Sequence, residues 1–144
     1  MRGPCPQSRS ARTSLGYVKF REAGAVAAGG ASGTAARVGL DNLAALLSVD
    51  AALSTLVVNV LGAFLLGLLT AHGMPSLSQV LRSGIGVGFL GAFTTFSAVS
   101  LFVATATLST GLGFLLFQLS VGVLAAWAGW HTGSTLRAKS GVSG

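Results

Sequence analysis

Leu53 to Ala71, reading LSTLVVNVLGAFLLGLLTA, contains no charged side chain. A bilayer crossing needs about 20 mostly apolar residues, so this run alone commits the chain to a membrane. The remainder of the sequence agrees. Of 144 residues only nine are Lys or Arg and three are Asp or Glu, whereas soluble domains carry about a quarter charged residues. The length leaves room for four spans with short connections and little else, which predicts an all-α integral membrane protein.

Four segments fill that plan. The first, about Ala23 to Leu40, is built from Ala, Gly, Ser and Thr with Arg37 near its end. Its small residues let a neighbouring backbone approach closely, which predicts a packed inner helix. Asp41 to Asp50 holds two acids and an Asn and reads as a connection at the membrane surface. The second span ends at the breaker run His72, Gly73, Met74 and Pro75. The third runs from about Gly84 to Leu108, and Gly84, Gly86, Gly88 and Gly91 followed by Thr94 and Thr95 predict a helix break inside it. The fourth, about Gly113 to Trp130, closes on Trp127 and Trp130, where indole rings favour the headgroup level. No strand alternation or heptad seam competes with this reading.

The organisation is therefore a basic tail over residues 1–22 without fixed structure, a four-helix membrane domain over 23–131 and a C-terminal tail over 132–144. Met1 to Arg21 has the basic, Ser-rich look of a targeting segment but no small-residue cleavage site. It reads as a tail or as sequence upstream of the true start. The net charge of +6 does not indicate nucleic acid, because the basic residues cluster in the tails and form no patch beside reading elements. Cys5 is the single cysteine, so neither an internal disulfide nor a cysteine metal site is possible.

Three polar features lie inside apolar spans. Asn59, in the middle of the second, must satisfy an amide away from lipid, either as interhelical glue or as a contact in a wet pathway. The segment Gly88-Phe89-Leu90-Gly91-Ala92-Phe93-Thr94-Thr95-Phe96-Ser97 combines a break, hydroxyls and rings. Exposed carbonyls at a break can hold a cation, and ring edges carry partial positive charge; core aromatics beside packing glycines would give the same pattern. Arg37 is either a snorkelling cation or an electropositive mouth.

Taken together, Thr55-Leu56-Val57-Val58-Asn59-Val60-Leu61-Gly62-Ala63-Phe64-Leu65-Leu66-Gly67 and the Gly88–Ser97 segment resemble the two signature segments of the Fluc (CrcB) fluoride channels. Gly29, Gly30, Gly33 and Arg37 match an early motif of that family, and the resemblance covers about Ala23 to Trp130.

The resemblance implies an antiparallel dimer of four-helix subunits with a broken third helix, two fluoride pathways and a central, structural sodium ion (Na+) that is not transported. It implies sodium held by the carbonyls of Gly91 and Thr94. It places Asn59, Phe96, Thr95, Ser97, Ser120 and Arg37 along the fluoride pathway, with the Asn59 amide as donor and Phe96 as a ring edge. Two departures stand out. Val99 replaces a second phenylalanine, and a tyrosine expected one turn before Ser120 is absent, with Leu116 and Phe117 in that region.

The expected function is a fluoride-specific channel in a bacterial cell membrane, exporting cytoplasmic fluoride and catalysing no reaction. Two other readings are a non-conducting or partly conducting partner subunit and a small multidrug exporter. The latter needs a membrane-depth carboxylate, and only Glu22 comes near one. With four spans, Arg2, Arg9, Arg12, Lys19, Arg21, Arg82, Arg137 and Lys139 share one side against Arg37 on the other. That imbalance predicts both termini in the cytoplasm. It favours a different, inverted homologue as partner over an inverted copy of the same chain. Lipid and fluoride complete the expected partners.

Overall fold

The computed structural model describes residues 7–72 and 77–139, and every regular element among them is helical. Helix α1 (Gln7–Leu46) is followed by α2 (Ala51–His72). The third crossing is composite. It comprises α3 (Gln79–Arg82), a π-helical stretch (Ser83–Leu90), α4 (Gly91–Phe93) and, after a gap, α5 (Ser97–Thr105). Helix α6 (Leu108–Lys139) ends the described chain.

Among the described residues three helical runs are long and apolar enough to span a membrane, namely Ala51–His72, Gln79–Thr105 and Leu108–Lys139. The expected first span is not among them, because its Gly, Ala, Ser and Thr content keeps its hydropathy low. Its predicted limits also need correction. One helix continues from Gln7 through Ala23 and on to Leu46, so the tail expected to lack fixed structure is helical from Gln7. Asp41 lies inside α1, not in a connection. The C-terminal tail is likewise helical through Lys139. Polar and charged residues in these flanks carry no proline or glycine cluster that would stop a helix, so the helices run on past the apolar limits. Gly73 to Pro75, expected as a breaker, lies outside the described residues, although α2 does end at His72.

The α1–α2 corner is tight. Ser48 adopts a left-handed conformation (φ 55°), and the Val49 N–H returns to the Ala44 carbonyl at 2.8 Å, closing the end of α1. Asp50 then caps α2, its carboxylate accepting the Ala52 N–H at 2.8 Å and the Leu53 N–H at 3.3 Å.

Glycines set the helix pairing. A Cβ on Gly29 would collide with the Gly84 carbonyl, and one on Gly33 with the Phe89 carbonyl, so α1 lies backbone to backbone against the π-helical stretch. A Cβ on Gly67 would meet the Ala126 carbonyl, and Cβ atoms on Gly129 and Gly133 would meet those of Phe64 and Leu68. Helices α2 and α6 are therefore equally close. Contacts advance in the same sense along both partners, from Phe64–Gly129 to Leu68–Gly133, so this pair runs parallel. Such small-residue seams are how helices pack where no hydrophobic drive separates them from lipid.

The outer faces suit the same setting. Leu53, Val57, Leu61, Leu116, Phe117, Leu124, Trp127 and Trp130 are all exposed on the single chain.

Candidate functional site

Helix α4 stops at Phe93. Thr94 turns into an extended conformation (φ −77°, ψ 151°), and the next helix begins at Ser97. The predicted break thus falls at Thr94 and Thr95. The glycine-rich run before it stays helical in the wider π form, where the Gly91 N–H reaches the Gly86 carbonyl.

Side chains close the gap. The Asn59 Nδ2 donates to the Thr95 carbonyl at 2.9 Å, and the Thr95 N–H donates to Asn59 Oδ1 at 2.8 Å. In an unbroken helix that Thr95 N–H would bond the Gly91 carbonyl, so the exchange releases Gly91 from its helical partner. The Thr94 hydroxyl donates back to the Leu90 carbonyl at 3.0 Å. The Thr95 hydroxyl pairs with Ser97 Oγ at 2.9 Å and accepts the Ala98 N–H, in the first turn of α5, at 3.4 Å. Gly62 admits the Thr94 methyl against α2, since a Cβ there would collide with Thr94 Cγ2.

A partly open cavity of about 440 Å³ lies against the break. Asn59, Gly62, Ala63 and Leu66 form its α2 wall, and Leu115, Gln118, Leu119, Gly122, Val123 and Ala126 its α6 wall. Gly91, Thr94, Thr95, Phe96 and Val99 supply the third crossing. Its polar side chains are Asn59, Thr94, Thr95 and Gln118. Phe96 is 68% exposed at its rim, and Val99 is buried at 2%.

The structure thus brings Asn59, Gly91, Thr94, Thr95 and Phe96 to one cavity, with Ser97 joined to it through the Thr95 hydroxyl. It does not bring Ser120 there. Ser120 is exposed, and its hydroxyl is turned back onto the Leu116 carbonyl at 2.8 Å. Two positions separate it from Gln118, which is about 200° around a helix, so the two residues face different sides of α6. Nor does Arg37 line the cavity. Its guanidinium pairs with Asp41 at 3.1 Å, and the other Asp41 oxygen accepts the Ser54 hydroxyl at 3.0 Å, tying α1 to α2. Glu22 is also absent from the cavity walls.

Gln118 is the residue that sequence reasoning missed. It is 6% exposed, and neither Nε2 nor Oε1 has a hydrogen-bond partner. The rule that singled out Asn59, an amide amid apolar residues of a span, applies equally to Gln118.

Among the described residues no group of three or more His, Cys, Asp or Glu could hold a metal ion. The oxygens at the break are those of the backbone, the threonine hydroxyls and the Asn59 amide, and the released Gly91 carbonyl beside Thr94 fits a hard, oxygen-seeking cation.

Comparison with known proteins identifies the family. The family described as CrcB-like protein, Camphor Resistance (CrcB), matches residues 24–130. A protein of Symbiobacterium thermophilum named fluoride-specific ion channel FluC 2 is 42% identical over 111 residues, covering 72% of this chain and 90% of that protein. The fluoride-specific ion channel FluC of Dehalococcoides mccartyi is 39% identical over 124 residues, covering 81% of this chain and 95% of its own length. One from Cutibacterium acnes, also named FluC 2, is 43% identical over 112 residues, covering 73% and 91%.

Proposed function

This chain belongs to the CrcB family, and from that membership we propose that it is a passive channel through which fluoride leaves the cytoplasm, lowering its toxicity. The observation that carries the reading is the interruption at Thr94–Phe96, held by Asn59 and opening on a cavity between apolar helices. Irregular backbone at membrane depth is tolerated only inside protein or beside a wet cavity. Fluoride is small and strongly hydrated, so a pathway must offer donors in place of water. The Asn59 amide has two N–H groups. One is engaged by the Thr95 carbonyl, and the other is available to the anion. Phe96, exposed at the rim, offers a ring edge. The protein is an ion channel and not an enzyme.

In this reading α1 supplies the remaining span, with Gly29 and Gly33 packed against the π-helical stretch. Two chains pair in opposite orientation, with both termini of this one in the cytoplasm. The carbonyls of Gly91 and Thr94 hold a structural sodium ion, which supplies fixed positive charge when bound. The basic residues gathered on one side favour a different homologue as the inverted partner. Relatives numbered FluC 2 in Symbiobacterium thermophilum and FluC 1 in Geobacillus kaustophilus accord with paired genes.

The test is fluoride efflux from liposomes holding the purified chain, alone and together with an inverted homologue, with chloride as the control anion. Fluoride-selective efflux in either preparation is expected. Folded protein that passes no fluoride in both would overturn the proposal.

A further inference from the structure

Helix directions decide which charges share an end of the bundle. Asn59 bonds Thr95 while Gly62 packs on Thr94, so α2 and the third crossing run in opposite senses. The pairs Ala25–Gly84 and Gly33–Phe89 make α1 parallel to the third crossing, and Gly133 faces the backbone of Leu68 and His72. The end of α6 therefore stands level with the end of α2, the start of the third crossing and the early part of α1. Arg21, Arg82, Arg137 and Lys139 gather there, and of the three acids in the chain only Glu22 joins them. At the opposite end Arg37 is paired with Asp41, and Asp50 caps α2. Arg21, Arg137 and Lys139 also lie outside residues 24–130, which match the family, so the shared fold does not account for them.

Helix α6 gives this charge a shaped surface. Trp127, Trp130 and Arg137 fall within about 80° of one another around the helix. Both indoles are exposed, and the Trp127 ring lies 5.7 Å from that of His131. Helical side chains lean toward the N-terminus, so at this C-terminal end Arg137 leans back toward the indoles. Indole rings favour the headgroup level, which brings a lipid phosphate within range of the guanidinium fork that suits it. We propose that this end of α6 is a binding surface for anionic phospholipid. Arg137 takes the phosphate, Trp127 and Trp130 flank the upper acyl chain, and Lys139 and Arg82 raise the local positive potential. The proposal does not depend on which ion the chain conducts.

The chain has two tryptophans, both on this face, so their fluorescence reports on the lipid beside it. The full chain is reconstituted in phosphatidylcholine containing the same small fraction of either brominated phosphatidylglycerol or brominated phosphatidylcholine, bromine being a contact quencher. Each Lys or Arg near a bilayer surface strengthens attraction to anionic lipid about five-fold. At low salt the anionic lipid is therefore expected to occupy the site about five-fold more than the zwitterionic one. The preference should vanish at about 1 M salt, where screening acts over about 3 Å. Arg137→Gln combined with Lys139→Gln should abolish it, whereas Lys139→Arg, which keeps the charge, should not. Thermal unfolding in detergent tests the same binding without fluorescence. Phosphatidylglycerol should raise the unfolding temperature of the parent above that in phosphatidylcholine, and this gain should be lost in the double variant. Equal quenching of the parent by the two lipids would overturn the proposal. So would a preference that survives the double substitution, which would place the anionic headgroup elsewhere on the chain.

Discussion

Asn59 and Thr95, 36 positions apart, exchange two hydrogen bonds, so that a side chain of α2 takes the place of a helical neighbour at the break in the third crossing. In the proposed reading the amide serves the fold and the pathway at once. It presents an acceptor to the Thr95 N–H and a donor to the Thr95 carbonyl, and keeps a remaining donor for the anion.

That double duty predicts the behaviour of Asn59→Asp. A carboxylate can still accept the Thr95 N–H but cannot donate to the Thr95 carbonyl, and its charge repels an anion. Fluoride flux should fall below detection, and stability should drop by about 1–3 kcal/mol from the unpaired carbonyl. Parallel efflux and unfolding measurements check both. A variant with unchanged flux would reduce Asn59 to a structural tie.

Gly62→Ala tests the packing that seats the break. The added methyl meets Thr94 Cγ2, and such overfilling typically costs about 1–3 kcal/mol. Gly24→Ala, where nothing lies within 4 Å, should be neutral or slightly stabilising. Equal unfolding temperatures for the two variants in detergent would mean that Thr94 moves aside freely.

Asp41→Asn separates the two roles open to Arg37. The change removes the ion pair at 3.1 Å and leaves the guanidinium uncompensated. The pair is part-exposed, so stability should change by no more than about 1 kcal/mol. If Arg37 draws anions toward the pathway, flux at low ionic strength should rise on the order of two-fold, and the gain should disappear at about 1 M salt. Flux that is unchanged at every salt concentration would leave Arg37 as a tie between helix ends.

Orientation follows from charge counting. With four spans, eight basic residues lie on one side and Arg37 alone on the other, so a reporter fused after Gly144 should stand in the cytoplasm in nearly every copy. Equal inside and outside populations, together with efflux by the lone chain, would establish an inverted homodimer instead.

Much of this arrangement was legible in the sequence. The second span was clear because it has no charge and ends in breakers. The gap at Thr94 and Thr95 was legible because glycines weaken the helix before it and hydroxyls can satisfy the backbone after it. The helix ends were not, because charge marks where lipid stops and not where hydrogen bonding stops; α1 begins at Gln7 and α6 runs to Lys139. The partner of Asn59 was hidden, since nothing local ties position 59 to 95. Ser120 stands out only by likeness to a motif, whereas helical phase from Leu115, Leu119 and Gly122 points to Gln118.

The carbonyl-packed glycines have a consequence for how this gene can change. Every single-nucleotide substitution in a glycine codon that alters the residue without ending the chain adds at least a Cβ. At positions 29, 33, 67, 129 and 133 that atom has a backbone oxygen in its way. These codons have no tolerable neighbour, while the outward leucines can drift among Ile, Val, Met and Phe at little cost. Variation should therefore accumulate on the lipid side, with both helix seams held still.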